Sequence, residues 1–138
     1  MYDRDFSEWL FEQAALLRAG RFDQLDVPNL VEEIEDLGKS QRRALFNRLR
    51  VLLVHLLKLR YQPTKRTGSW LGTVREQRFR LRRLFKESPS LRRFAREDVE
   101  SAYQEARLIA SDQTGLPPDT FPAECPFAID SVLDDPEA

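Results

Sequence analysis

Three features of the sequence predict an all-α fold. Leu45, Leu49, Leu52, Leu56 and Leu59 alternate steps of four and three, which sets them on one helical stripe. From Val51 to Leu57 only His55 interrupts the apolar run, so this helix must be covered on several sides and forms the centre of a core. No stretch alternates apolar and polar residues as a half-buried strand would, and a charged fraction of 33% with five glycines suits solvated helices. The expected architecture is an antiparallel bundle of four main helices plus a short C-terminal helix. It is read as one domain over residues 1–138, with residues 112–138 a Pro-rich tail docking on the bundle.

The first helix is expected from about Asp5 to Ala19, capped by Asp3 or Asp5 and stopped by Gly20, with Phe6, Leu10, Ala14 and Leu17 as its buried stripe and Trp9 beside it. Phe22 and Leu25 pin the loop that follows. Pro28 suits the first turn of the second helix, where its missing N–H does no harm. Leu30, Ile34 and Leu37 give that helix an apolar face, and Glu32, Glu33, Glu35 and Asp36 a solvated one. A kink or break is expected near Gly38, because glycine is weak in a helix interior and Ser40 can cap a restart. The central helix then ends at a turn around Pro63 and Gly68.

A third helix is expected over Trp70–Lys86, capped by Ser69, with Trp70, Val74, Gln77, Leu81 and Leu84 on one face. A fourth follows Ser88-Pro89-Ser90, with Ser88 as its cap, and runs to about Ser111. Its small residues Ala95, Ala102 and Ala106 imply close approach to a neighbour. The stretch from Leu116 to Pro126 is too rich in proline for a helix, and a last short helix over residues 126–133 can dock Phe127, Ile129 and Leu133.

Charge is the least ordinary property. The net charge is −1, yet residues 1–38 hold 3 basic and 10 acidic groups, residues 39–96 hold 18 and 2, and residues 97–138 hold 1 and 11. The three blocks therefore carry −7, +16 and −10. The single cysteine, Cys125, allows no internal disulfide and fits a reducing compartment, so a cytoplasmic location is expected. No run reaches the ~18 apolar residues of a membrane span, and no membrane partner is expected.

A set of short words recurs in a fixed order: Glu32-Glu-Ile-Glu-Asp-Leu-Gly38, His55-Leu-Leu-Lys58, Tyr61-Gln-Pro63, Ser69-Trp70, Glu76-Gln-Arg78, Ser88-Pro-Ser-Leu91 and Cys125-Pro126. Together they resemble a bacterial family, domain-of-unknown-function family twenty-nine, over nearly the whole chain. The resemblance implies a small all-helical bundle and carries no activity, cofactor or catalytic residue.

The residues themselves supply no catalytic constellation. His55 is the only histidine, position 52 is leucine where a di-iron Glu-x-x-His pattern needs glutamate, and Cys125 has no other histidine to activate it. No catalytic residue, metal or cofactor is expected. His55 and Gln77 are expected to satisfy each other as a polar core site, since helices joined by a short turn run antiparallel and place them at one level. Arg66, Arg75, Arg78, Arg82, Arg83, Arg92 and Arg93 form a candidate anion- or partner-binding face. The bland reading is that the acidic segments neutralise it, with carboxylates of residues 97–112 meeting arginines of the third helix. The leading function is a non-enzymatic, cytoplasmic helical module that binds another protein, as monomer or homodimer. A nucleic-acid-binding accessory protein using residues 65–96 is the alternative, and a metal-dependent or hydrolytic enzyme a third.

Overall fold

The computed structural model describes residues 2–65 and 67–134, apart from the side chains of Pro63 and Asp134. The helices are α1 (Phe6–Arg18), α2 (Val27–Tyr61), α3 (Gly68–Glu87), α4 (Leu91–Thr114) and α5 (Ile129–Asp134), and among the described residues there is no strand. The fold is thus all-α, with four main helices and a short fifth. The chain divides into two compact units, Met1–Gln41 and Arg42–Ala138.

The first unit is an antiparallel hairpin of α1 and the opening turns of α2. Asp5 caps α1 by accepting from the Glu8 N–H at 3.0 Å, and Gly20, at φ +73°, turns the chain away. The early residue Tyr2 bonds Glu33, and the later Trp9 and Gln13 bond Asp26, which fixes the antiparallel sense. Aromatic packing of Tyr2 and Phe6 against Trp9 completes the contact. The expected buried stripe of α1 is not buried. Phe6, Leu10, Ala14 and Leu17 are exposed, while Trp9 and Gln13 are buried. The reason is the hydrogen bonding: Asp26 draws the Trp9 and Gln13 side of α1 toward α2 and leaves the more apolar side open.

α2 is helical without interruption through Gly38, so the expected break does not occur. A single glycine costs a helix only about 0.5–1 kcal/mol relative to alanine, too little to open one whose neighbours are good helix formers.

The second unit holds the core. Leu45, Leu49, Leu52 and Leu56 of the predicted stripe are buried and Leu59 is half-buried, while Leu53 and Leu57, off the stripe, are buried as well. α3 starts two residues earlier than a Ser69 cap allows: Thr67 Oγ1 accepts from the Trp70 N–H at 3.2 Å, leaving Ser69 inside the first turn. α4 has Ser90 and not Ser88 at its N-cap, and it ends at Gly115, whose φ of +77° is the left-handed conformation of a C-cap. α3 packs on α4. Arg42 meets Asp98 and Arg50 meets Glu105, so α4 runs parallel to α2.

After Gly115 the Pro-rich segment runs back along α4. Ser111 bonds the Leu116 carbonyl, Arg107 that of Pro118, Tyr103 that of Pro122 and Gln104 that of Ala123. Prolines cannot supply N–H groups to a helix or sheet, so α4 side chains take up the segment's carbonyls instead. Phe121 is buried at the end of this run, edge-on to Tyr61. α5 then packs on α3 and α4 through Val132 and Leu133.

Candidate functional site

His55 and Gln77 both lie in the second unit, and each is provided for by another group. The His55 Nδ1–H donates to the Val51 carbonyl at 2.9 Å, one turn back on its own helix. The Gln77 Oε1 accepts from Arg48 at 3.4 Å. No direct bond joins the two: Arg48 is long enough to reach across to Gln77 on α3, while the imidazole bonds a carbonyl of its own helix. Burial holds the His55 pKa below its ordinary value, and the nearby charge of Lys58 adds to that. Its Nδ1–H donates, so the neutral ring keeps Nε2 as an acceptor. Lys58 is itself buried, with its ammonium 5.4 Å from the centre of the Trp70 ring, and desolvation lowers its pKa.

The thiol of Cys125 is half-buried and donates to the Phe127 carbonyl, and burial pushes its pKa up. Its burial disfavours the thiolate form. Among the described residues no group of three or more His, Cys, Asp or Glu side chains could hold a metal ion.

The arginine face divides. Arg66 lies outside the described residues. Arg78 is 2% exposed and donates through Nε to the Val132 carbonyl at 2.9 Å and through Nη2 to that of Ser131. It therefore anchors α5 and is no surface group. Arg92 lies over the Phe85 ring and Arg93 over the Phe94 ring. Arg75, Arg82 and Arg83 are exposed on α3, around the exposed Phe79. The carboxylates of α4 go elsewhere than expected: Glu97 and Asp98 bind Arg42, and Glu105 binds Arg50, all on α2. The parallel placing of α2 beside α4 brings those arginines to the acids.

The hairpin also carries exposed apolar side chains. On α1, Phe6, Leu10 and Leu17 are 44%, 40% and 48% exposed. On α2, Val27, Val31, Ile34 and Leu37 are 52%, 47%, 65% and 69% exposed. At 3.6 residues per turn the α1 set centres roughly 60° and the α2 set roughly 80° round from the side that bonds the other helix. Both stripes are displaced in the direction of increasing residue number. In an antiparallel pair of right-handed helices that brings them to the same side, so they form one apolar face. None of its positions is charged. Glu8, Glu12, Glu32 and Asp36 fall off it, while Glu33 and Glu35 border the α2 stripe, one turn from Leu37 and Val31. Sequence reasoning read Phe6, Leu10, Ala14 and Leu17 as a buried stripe of α1 and Leu30, Ile34 and Leu37 as the apolar face of α2, without Val27 and Val31; nothing in the periodicity says whether a covering element is present.

A face of this kind defines an all-helical protein with an exposed apolar surface. The chain matches the family model "Domain of unknown function DUF29" over residues 1–136 and belongs to that family. No curated protein and no solved structure matches it.

Proposed function

We propose that the protein is a non-enzymatic helical module that binds another protein through the apolar face of the α1–α2 hairpin. The observation that carries this reading is the uncharged stripe of large side chains on both helices, left in water. Contiguous apolar surface of this extent is rare on monomers and marks interaction sites. A cytoplasmic location suits the lone, protonated thiol of Cys125.

Photo-crosslinking in the native host tests the reading. With p-benzoylphenylalanine in place of Ile34, ultraviolet light is expected to give a protein adduct, and the same probe at the exposed Asp112 is expected to give none. Equal labelling from the two positions, or no protein adduct from position 34, overturns the reading.

A second reading, a nucleic-acid-binding accessory protein, draws support from Arg75, Arg82 and Arg83 around Phe79 on the outer side of α3. It requires a salt-sensitive gel shift that Arg75→Glu with Arg83→Glu removes. Arg78 takes no part in that test, since it is committed to α5.

A further inference from the structure

The corner where α2 turns into α3 carries a positive charge that the chain does not neutralise. From Leu37 to Arg75 there is no acidic residue, while Lys58, Arg60 and Lys65 flank the turn. The α4 carboxylates that reach α2 go to Arg42 and Arg50. Lys58 is 9% exposed, and no described residue gives its ammonium a carboxylate or a hydrogen-bond acceptor. The ammonium lies over the Trp70 ring instead. Among the described residues no buried side-chain nitrogen or oxygen lacks a partner, so this ammonium is not sealed off: the stem is buried and the tip opens to solvent. Desolvation, with no carboxylate to oppose it, lowers the Lys58 pKa.

That tip meets the first turn of α3. Thr67 takes the Trp70 N–H on its hydroxyl and the Leu71 N–H on its carbonyl. The N–H groups of Gly68 and Ser69 have no acceptor among the described residues, and the turn holds no acid. A helical side chain leans over the turn N-terminal to its own Cα, so the Trp70 ring and the ammonium on it lie toward these free N–H groups. The positive end of a helix of 20 residues thus stands beside a largely buried cation, an arrangement that an anion relieves. We propose that this corner is a phosphate-binding site, in which Lys58 Nζ, the Gly68 and Ser69 N–H groups and the exposed Ser69 hydroxyl hold the oxygens of inorganic phosphate or of a small phosphomonoester. Donors from a side-chain ammonium, a hydroxyl and a helix start suit a tetrahedral oxyanion, which offers acceptors on several sides. The site lies wholly in the second unit and stands whether or not the hairpin face binds a partner.

Nuclear magnetic resonance on the full chain tests it, with inorganic phosphate and glycerol 3-phosphate titrated in turn at constant ionic strength. The amide signals of Gly68 and Ser69 and the indole N–H signal of Trp70 are expected to shift saturably. Lys58→Met removes the ammonium and should weaken binding at least about tenfold. Ser69 is exposed, so Ser69→Asp tests the site even where Lys58→Met disturbs packing. Its carboxylate takes the anion's place at the helix start, and should abolish binding while raising the melting temperature. Tighter binding of the ester supports the site and identifies a phosphorylated small molecule as its ligand; tighter binding of free phosphate supports it with the inorganic ion. Shifts that grow linearly without saturation, or that centre on Arg75 and Arg83, overturn the proposal, as does saturable binding that either variant leaves intact. A Lys58 that serves only the C-terminal dipole of α2 gives the unsaturated result.

Discussion

Leu37 and Leu52 stand on the same helix, each in a stripe with steps of three and four, and their surroundings are opposite. Leu37 is 69% exposed and Leu52 is fully buried. Leu52 shares one core cluster with side chains of α3, α4, the returning Pro-rich segment and α5. Around Leu37 the hairpin supplies one partner helix, whose contact with α2 runs largely through hydrogen bonds: Trp9 and Gln13 to Asp26, and Tyr2 to Glu33. The lesson is that an amphipathic pattern states what a helix needs and not where the need is met. The bundle meets it within the chain, and the hairpin holds it open.

The sharpest way to break this contrast is to truncate one leucine in each region. Leu52→Ala removes buried atoms and leaves a cavity, and should cost about 2–5 kcal/mol in urea unfolding. Ile34→Ala, studied at concentrations where the chain is monomeric, should change stability by no more than about 0.5 kcal/mol. A large loss at Ile34 under those conditions would mean that the face is covered within the monomer.

Arg78→Met comes next in size. It keeps much of the buried volume and removes the donors that hold the Val132 and Ser131 carbonyls. Hydrogen bonds to a charged group contribute about 1.5–3 kcal/mol each, and buried carbonyls left unpaired add to the loss. Amide exchange in residues 129–134 should accelerate well before that in α4. Exchange that rises uniformly across the bundle would show Arg78 to be a general core residue and not the anchor of α5.

How much of this was legible depended on the range of the contacts. The Leu45–Leu56 stripe declares its own burial, because a helix apolar on nearly every side has no other place to be. The ends of α3 and α4 were legible to within a few residues, and Thr67 outcompeted Ser69 as cap only through local geometry. The role of Arg78 at α5 was not legible, since the Val132 and Ser131 carbonyls that it bonds are more than fifty residues away and any residue type could offer them. Counting back from the turn placed His55 level with Gln77, yet the count ignores side-chain reach, and Arg48 has more of it than the imidazole. The exposed face was legible as two stripes and hidden as a face, because its openness depends on what is missing around the hairpin.

The smallest effect separates the two regions by pH. His55 sits in the bundle, and burial depresses its folded pKa below 6.5. The unfolded chain therefore takes up a proton near that value while the folded chain does not, so the bundle loses stability as pH falls below about 6.5, down to the folded pKa. The slope should stay well under the ~1.4 kcal/mol per pH unit of a full proton difference, since the ring is only half-buried. The hairpin has no histidine. Its Asp26 carboxylate accepts from the Asn29 amide and the Trp9 indole, which lowers its pKa below 3.8, so its contribution is fully present above that value and fades only as pH falls through the folded pKa. Each region owns one of the two tryptophans, Trp9 in the hairpin and Trp70 in the bundle. Trp70→Phe and Trp9→Phe thus give chains whose fluorescence follows one region at a time. Between pH 7.5 and 5 the urea midpoint seen by Trp70 should fall, and that seen by Trp9 should not. His55→Gln should flatten the first and leave the second alone. A fall of equal size at both tryptophans would show that the two regions unfold as one and that the contrast is confined to surface exposure.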